Sequence, residues 1–335
     1  MRKARLCLFA SLFILLSSHF NADRALAQMP ELSPLPQTGK LKTPSDPDKF
    51  KFVVAGDNRP AKEKDPQPKT PGLIFAAAKK LNPAFVFWTG DTISGKQTCD
   101  DKTPCDKAVA KKQYDGFLSL AAEAQAPVFN APGNHEMDNA QNVPDSQMQG
   151  FYTKYMAGLY GAFNYGNSRF IALNTDEVAA QGVTQPANGY VSSAIINQLE
   201  QDLKMNQDKK HIFIFMHRPV KAEKKADALS EPSASNLKAL FKKYRSVVAY
   251  VIAGHEHLYY NAQSKNTAPP PNLRKATKTP LYLVSGGAGA PFKRSCPPGS
   301  FHHYLVFAVN GKKVNVKLVP VNDMKCVPSK GTSVL

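Results

Sequence analysis

The sequence predicts an α/β chain built on one mixed sheet or on two sheets lying face to face. Three observations carry this. Short apolar runs, KFVVA, FVFWT, PVFNAP, HIFIFM and VAYVIA, read as buried strands. Amphipathic segments of helical period separate them, which is the βα alternation of α/β chains. Two hairpins then interrupt that alternation, so the pairing is not wholly parallel.

Taken in chain order, Arg2, Lys3 and Arg5 precede an apolar run from Leu6 to Leu16, and Ala25-Leu26-Ala27 supplies a small-x-small cleavage site. Charged, apolar and small residues in that order form a secretory signal peptide over residues 1–27. The apolar run is too short to span a bilayer. Cys7 lies ahead of most of it, the wrong place for a lipid-modified cysteine after cleavage. The mature chain is expected to begin near Gln28, with no transmembrane segment after cleavage, as an exported protein of the periplasm or the extracellular medium. Residues 28–49 carry Pro30, Pro34, Pro36, Pro44 and Pro47 without periodicity. They form a proline-rich lead-in that orders by contact or stays flexible and buries little.

Regular alternation begins at Phe50, and residues 50–335 are expected to form one catalytic domain. Helices are expected at 71–81, 108–124, 147–155, 192–205 and 233–244. In the fourth, Ile195, Ile196, Leu199 and Leu203 recur at helical spacing and mark a buried face. Ser233 is placed to cap the last. Residues 163–165 and 169–173 flank Gly166-Asn167-Ser168, and residues 304–309 and 313–319 flank Asn310-Gly311, a tight-turn signal. Residues 265–280 make a basic, proline-rich loop, and no internal repeat is present.

Without Cys7 the cysteines are Cys99, Cys105, Cys296 and Cys326, an even number suited to an oxidising compartment. Cys99 with Cys105 and Cys296 with Cys326 is the expected pairing, though spacing does not fix connectivity. A zinc site is disfavoured because no C-x-x-C spacing occurs. The formal charge is +17, and removal of the leader, which carries a net +3, leaves +14. Lysines crowd the segments after the strands, at Lys62, Lys64 and Lys69 and at Lys221, Lys224 and Lys225. They either draw an anion towards the strand ends or simply solvate a basic surface.

The chemistry gathers in Gly56-Asp57, Gly90-Asp91, Gly133-Asn134-His135-Glu136, His217 and Gly254-His255-Glu256-His257, each just past an apolar strand. Groups at the carboxyl ends of successive strands meet where α/β sheets collect ligands. Carboxylate, amide and imidazole donors suit a pair of divalent metals, and such pairs drive in-line phosphoryl chemistry. Asp91 is the expected bridge, because a carboxylate offers two oxygens. Asp57 then serves one metal together with an imidazole. Asn134 offers a carbonyl oxygen to the other, joined by His217 and one of the GHEH histidines. His255 and His257, two apart on extended backbone, face the same site, and Glu256 points elsewhere.

The ordered set of motifs resembles the calcineurin-like metallophosphoesterase superfamily, nearest its purple acid phosphatase-like branch. The resemblance runs from about Phe50 to Val319, and GNHE with GHEH carries most of its specificity. It implies a four-layer αββα sandwich, two mixed sheets flanked by helices. It implies two divalent metal ions, manganese, zinc or iron. Asp57, Asp91 and His257 would hold the first, and Asp91, Asn134, His217 and His255 the second. It also implies that His135 acts over the leaving group, as general acid or transition-state stabiliser, while a metal-bridging hydroxide attacks phosphorus.

Two departures from the family pattern stand out. Arg59 occupies the position where most members supply an imidazole, and Ser94 the position where purple acid phosphatases supply a tyrosine. The first metal therefore lacks a usual ligand, for which water, Asn58 or a distant loop residue is the expected substitute, and the tyrosinate colour should be absent. Arg59 is instead expected to grip a phosphate oxygen. The function expected is hydrolysis of a small anionic phosphomonoester or phosphodiester. The competing expectation is a degenerate, non-catalytic relative that binds phosphate or a polyanion. Nucleic acid is disfavoured as a partner, because basic residues are not interleaved with aromatic ones. The oligomeric state is left open.

Overall fold

The computed structural model describes residues 28–95, 107–138, 141–265, 280–293 and 295–325. The expected signal peptide and the cysteines 99, 105 and 326 lie outside these, and so does the expected disulfide pairing. Strands β1 (Lys49–Ala55), β2 (Val86–Trp88) and β3 (Val128–Asn130) run parallel. The long hairpin β10 (Phe301–Asn310) and β11 (Lys313–Lys325) adds to β1 antiparallel, giving a five-stranded sheet in the order β11-β10-β1-β2-β3. A six-stranded sheet has the order β4-β5-β6-β7-β9-β8. Its strands are β4 (Gly161–Tyr165), β5 (Ser168–Ala172), β6 (His211–Phe215), β7 (Val248–Ala253), β8 (Tyr259–Asn261) and β9 (Leu281–Ser285). Here β5, β6, β7 and β9 are parallel, with β4 and β8 antiparallel on the two edges.

Helices α1 (Lys69–Leu81), α2 (Ala108–Ala122), α3 (Asn134–Met137), α4 (Ser146–Tyr155), α5 (Ser193–Met205) and α6 (Ser233–Lys243) complete the chain. Three separate cores show how the layers stack. Phe75 of α1, Phe117 of α2 and Tyr152 of α4 pack beneath the five-stranded sheet with Val53 and Trp88. Leu199 of α5 and Leu237 of α6 pack beneath the six-stranded sheet with Ile214 and Val251. Between the sheets lies a largely aromatic core of Phe52, Phe85, Phe87, Phe170, Phe213, Phe215 and Phe307. Phe87 and Phe215 stack across it at 3.7 Å between ring centroids, one from each sheet. Alternate strand residues point to opposite faces, so Phe52 enters this middle core while Val53 enters the outer one. The result is the four-layer sandwich.

Residues 28–48 are ordered by contact and bury more than their composition suggests. Met29, Leu32 and Leu35 are buried, and Leu32 and Leu35 donate backbone hydrogen bonds to Ala162 of β4 and Val128 of β3. The Met29 N–H reaches Asp202, whose carboxylate also pairs with Arg169 inside the protein. The lead-in thus straps the edges of both sheets. Among the described residues no helix is long and apolar enough to cross a membrane.

Candidate metal centre

Each sequence motif leaves its strand at the same rim of the sandwich. Asp57 follows β1, Asp91 β2, Asn134 β3, His217 β6, and His255 with His257 follow β7. Three of these residues turn through left-handed backbone, Asp57 at φ 63°, Asp91 at 55° and His255 at 72°. Such conformations are costly outside glycine and gather at functional sites. A glycine precedes each because the loops meet at contact distance. A Cβ on Gly254 would sit 2.2 Å from Asp57 Oδ2, and one on Gly90 (φ +88°) would sit 2.5 Å from the Gly133 nitrogen.

The two sheets are tied together here by the functional residues themselves. Asp57 Oδ1 accepts the His255 N–H at 2.8 Å across the two sheets, while Asp91 Oδ1 accepts the His135 N–H at 3.1 Å within the five-stranded one. His217 donates from Nδ1 to the Thr89 carbonyl at 2.7 Å, which leaves Nε2 facing Asp91 Oδ1 at 3.2 Å and Asn134 Oδ1 at 3.1 Å. His257 donates from Nδ1 to the Pro291 carbonyl at 2.5 Å, leaving Nε2 3.8 Å from Asp57 Oδ1. Fixing one ring nitrogen so that the other is free is the usual preparation of a histidine ligand.

Donor atoms of Asp57, Asp91 and His257 lie within 4.8 Å of one another. Asn134, His217 and His255 complete a second cluster that shares Asp91, with His255 Nδ1 3.1 Å from Asn134 Oδ1 and 3.3 Å from His217 Nε2. All six residues expected as ligands are therefore brought together. His255 departs from the tidy pattern, because Arg218 Nη1 sits 3.1 Å from its Nε2. A guanidinium can only donate, so Nε2 accepts here and the ring hydrogen lies on Nδ1 towards Asn134 Oδ1. For Nδ1 to serve as a ligand, Arg218 would have to turn away from Nε2.

The electrostatics fit a cation pair. Burial pushes the Asp57 carboxyl well above its ordinary range, only partly offset by His217, and Asp57 Oδ2 is buried without a hydrogen-bond partner. Burial acts on Asp91 in the same sense, but the charges of His217 and His135 hold it well below the ordinary range. Burial would lower His217, yet Asp91, Asp57 and Asp176 together raise it to about 10. An orphaned buried oxygen and a histidine driven to carry charge both mark a site short of positive charge, which divalent ions on oxygen and imidazole donors would supply.

Arg59 and His135 reach the same place. Arg59 is half-buried, its Nε is buried without a partner, and its charge acts on Asp57, Asp91, His135 and His257. His135 Nδ1 is 2.5 Å from the Ser94 carbonyl, so Nε2 faces the site 3.9 Å from Asp91 Oδ2. Burial lowers this imidazole to about 4, and a bound phosphate dianion beside it would act in the opposite sense. Ser94 therefore serves through its backbone, while its hydroxyl pairs with Gln113. Asn58 is not free to replace the missing ligand. It accepts from the Trp88 indole at 2.7 Å and donates to Gln67 at 2.7 Å, facing away from the cation site into the outer core. That expectation is corrected.

Several contributors carry no signal in sequence spacing. Glu136 is fully buried and accepts from the loops bearing Asp91 and Asn134. Glu256 accepts the backbone N–H groups of Glu223 and Lys224, each at 2.8 Å, so it anchors the loop after His217. Arg218 pairs with Asp176 at 2.6 Å behind His255, and Asp138 lies beside Asn134 at 3.4 Å. Only their positions within or next to the motifs hinted at them. The Gly286–Gly289 turn packs its backbone on Gly56 and Asp57, through Ala288 N–H and Ala290 N–H. His303 is structural, held by Ser285 and the Phe301 carbonyl.

The family described as calcineurin-like phosphoesterase matches residues 50–259. Among solved structures, a purple acid phosphatase from yellow lupin (Lupinus luteus) seeds is similar at 17% identity and a TM-score of 0.55, over 85% of this chain and 54% of that one. The chain thus spans about half the length of that phosphatase. A dimetal phosphatase from Danio rerio is similar at 14% identity and a TM-score of 0.55, over 81% of this chain and 96% of its own. PhoD is similar at 13% identity and a TM-score of 0.54, over 84% of this chain and 70% of its own. At these identities the likeness is one of fold. No curated protein matches the chain in sequence.

Proposed function

The chain belongs to the calcineurin-like phosphoesterase family, and from that premise we propose that it is an exported, metal-dependent hydrolase of small phosphate esters. The observation that carries the reading is the convergence of the Asp57, Asp91 and His257 donor atoms within 4.8 Å, adjoining a second cluster through Asp91. Asp57, Asp91 and His257 would hold one divalent ion, and Asp91, Asn134, His217 and His255 the other. Such a pair supplies Lewis acidity at the phosphoryl oxygens and lowers the pKa of water. The protein's own part is positioning and charge. Arg59 donates to a phosphoryl oxygen as negative charge develops there. His135, fixed through Nδ1, presents Nε2 to the departing oxygen. Once the bound phosphate dianion has favoured protonation of the ring, it gives that oxygen the Nε2 proton and returns to the neutral imidazole. The basic loops draw the anionic substrate in. The phosphatases among the fold neighbours agree with a phosphoric ester hydrolase.

Metal content and turnover on one sample test this. Mature protein reconstituted with manganese, zinc or iron is assayed on an aryl phosphomonoester and an aryl phosphodiester, with Asn134→Ala and His135→Ala beside it. Two metals per chain and turnover lost in both variants support the reading, and the preferred ester fixes the subclass. One metal or none, with no turnover on either ester, favours the phosphate-binding relative, for which Arg59 in place of an imidazole is the supporting feature.

A further inference from the structure

Beside the metal centre, the loops after β1 and β9, with His302 of β10, line an open cleft of about 300 Å³. Its walls include Pro60, Pro66, Pro291, Phe292, His302 and Asp65. These walls adjoin the metal-donor residues directly. Pro60 follows Arg59 in the chain, the Pro291 carbonyl accepts from His257, and the neighbouring Ala290 N–H donates to the Asp57 carbonyl at 2.8 Å. The prolines fix their own φ angles, which removes part of the backbone freedom of this side of the cleft. Phe292 and His302 lie 4.5 Å apart between ring centroids, and His302 Nδ1 is 3.2 Å from the Thr70 hydroxyl.

We propose that this cleft receives the alcohol portion of the ester and selects an uncharged aromatic alcohol; the inference rests on the phosphoester hydrolase reading. With the phosphoryl group on the metal side and held by Arg59, the ester oxygen and its substituent must leave past His135. Gln67, between Pro66 and Pro68 of the cleft wall, donates to the Thr92 carbonyl at 2.7 Å, and the Ser94 carbonyl of that same loop fixes His135, so the departing group emerges beside the cleft wall. Flat proline and phenylalanine faces favour a ring over a flexible polyol, since a rigid ring loses little entropy on binding. The volume stands at the small end of ligand pockets and suits one ring or a fused pair. Among the described residues lining the cleft, Asp65 is the only one with a full charge. A carboxylate there repels a leaving group that carries a second anion.

The test compares kcat/KM for phenyl phosphate with kcat/KM for ethyl phosphate, using metal-loaded mature protein. The intrinsic difference between the two leaving groups cancels when the ratio is compared between variants. Phe292→Ala and, at an exposed position less exposed to folding defects, Ala61→Trp should each lower the phenyl-to-ethyl ratio about tenfold. Asp65→Asn should raise relative turnover of 4-carboxyphenyl phosphate. Ratios unchanged in both cleft variants overturn the proposal. If the loaded wild type hydrolyses neither ester, the enzymatic reading fails by itself. Calorimetric titration then decides the cleft: phenyl phosphate binding tighter than ethyl phosphate, with the preference lost in Ala61→Trp, supports it, and equal binding overturns it.

Discussion

Glu136 Oε2 accepts the backbone N–H of Asp91 at 2.9 Å, although 45 residues separate the two in sequence. The same carboxylate accepts from Thr92 Oγ1 at 2.9 Å, Ile93 N at 3.3 Å and Gly133 N at 2.6 Å. A single buried acid therefore sets the distance between the Asp91 loop and the Asn134 loop.

Glu136→Gln should loosen both clusters at once. It replaces an all-acceptor group with one that points an amide donor at backbone N–H groups, at a cost of about 1–3 kcal/mol. The expected outcome is a lower Tm together with reduced metal content at fixed free metal, read by thermal unfolding and elemental analysis. Unchanged metal content would show that the Asp91 loop holds its shape without this acid.

Arg59→His restores the imidazole that most family members carry. Metal affinity at the Asp57 side should rise by about tenfold or more, since a neutral ligand replaces a fixed cation. KM for a phosphate ester should rise by about tenfold as the charged hydrogen bond to phosphate is lost. Metal titration and steady-state kinetics on one preparation separate the two effects. A variant weaker in both would place Arg59 in a structural role.

Arg218→Ala strips a buried cation from Asp176, leaving a buried carboxylate uncompensated. Breaking such a pair costs about 3–5 kcal/mol. Denaturant unfolding should show that loss, and Asp176→Asn combined with Arg218→Met should recover part of it. A drop below about 1 kcal/mol, the scale of exposed pairs, would contradict the buried geometry.

Asp138 gives a pH signature. Burial first, then the neighbouring Asp176, raises its carboxyl from 3.8 to about 7. A carboxyl raised by folding contributes stability that is present below the unfolded value and lost as pH rises through the folded one. Asp138→Asn should therefore gain on the wild type between pH 4 and pH 8, by at most about 4 kcal/mol. Unfolding curves at both pH values check this, and a difference independent of pH would mean that Asp138 stays ionised throughout.

Much of the site was legible because strand-end chemistry is written in short windows. An apolar strand followed by Gly-Asp or Gly-His announces both its own burial and the residue at its end, and period-2 patterning needs no knowledge of the partner strand. The same windows give α1, α2, α4, α5 and α6 to within a few residues. What they missed shares a different property. Asn58 reads as a spare oxygen donor, yet Trp88 and Gln67 claim both ends of its amide. The lead-in reads as burying little, yet Met29, Leu32 and Leu35 find buried sites on edges that only the folded sheets create.

The sequence by itself determined the α/β alternation, the two antiparallel hairpins and the six residues that could serve as ligands, because each is encoded by local patterning. The four-layer sandwich followed only from the family resemblance, and the strand order from the structure. Tertiary structure alone decided the rest: that Glu136 and Glu256 brace the loops, that Arg218 stands against His255, and that a proline-walled cleft opens beside Arg59. These depend on hydrogen bonds and charges between segments far apart in the chain. Pairing of β2 with β3 and of β6 with β7 brings the first three together, and closure of the two sheets onto one rim forms the cleft. Each brings its groups within the few ångströms over which such forces act.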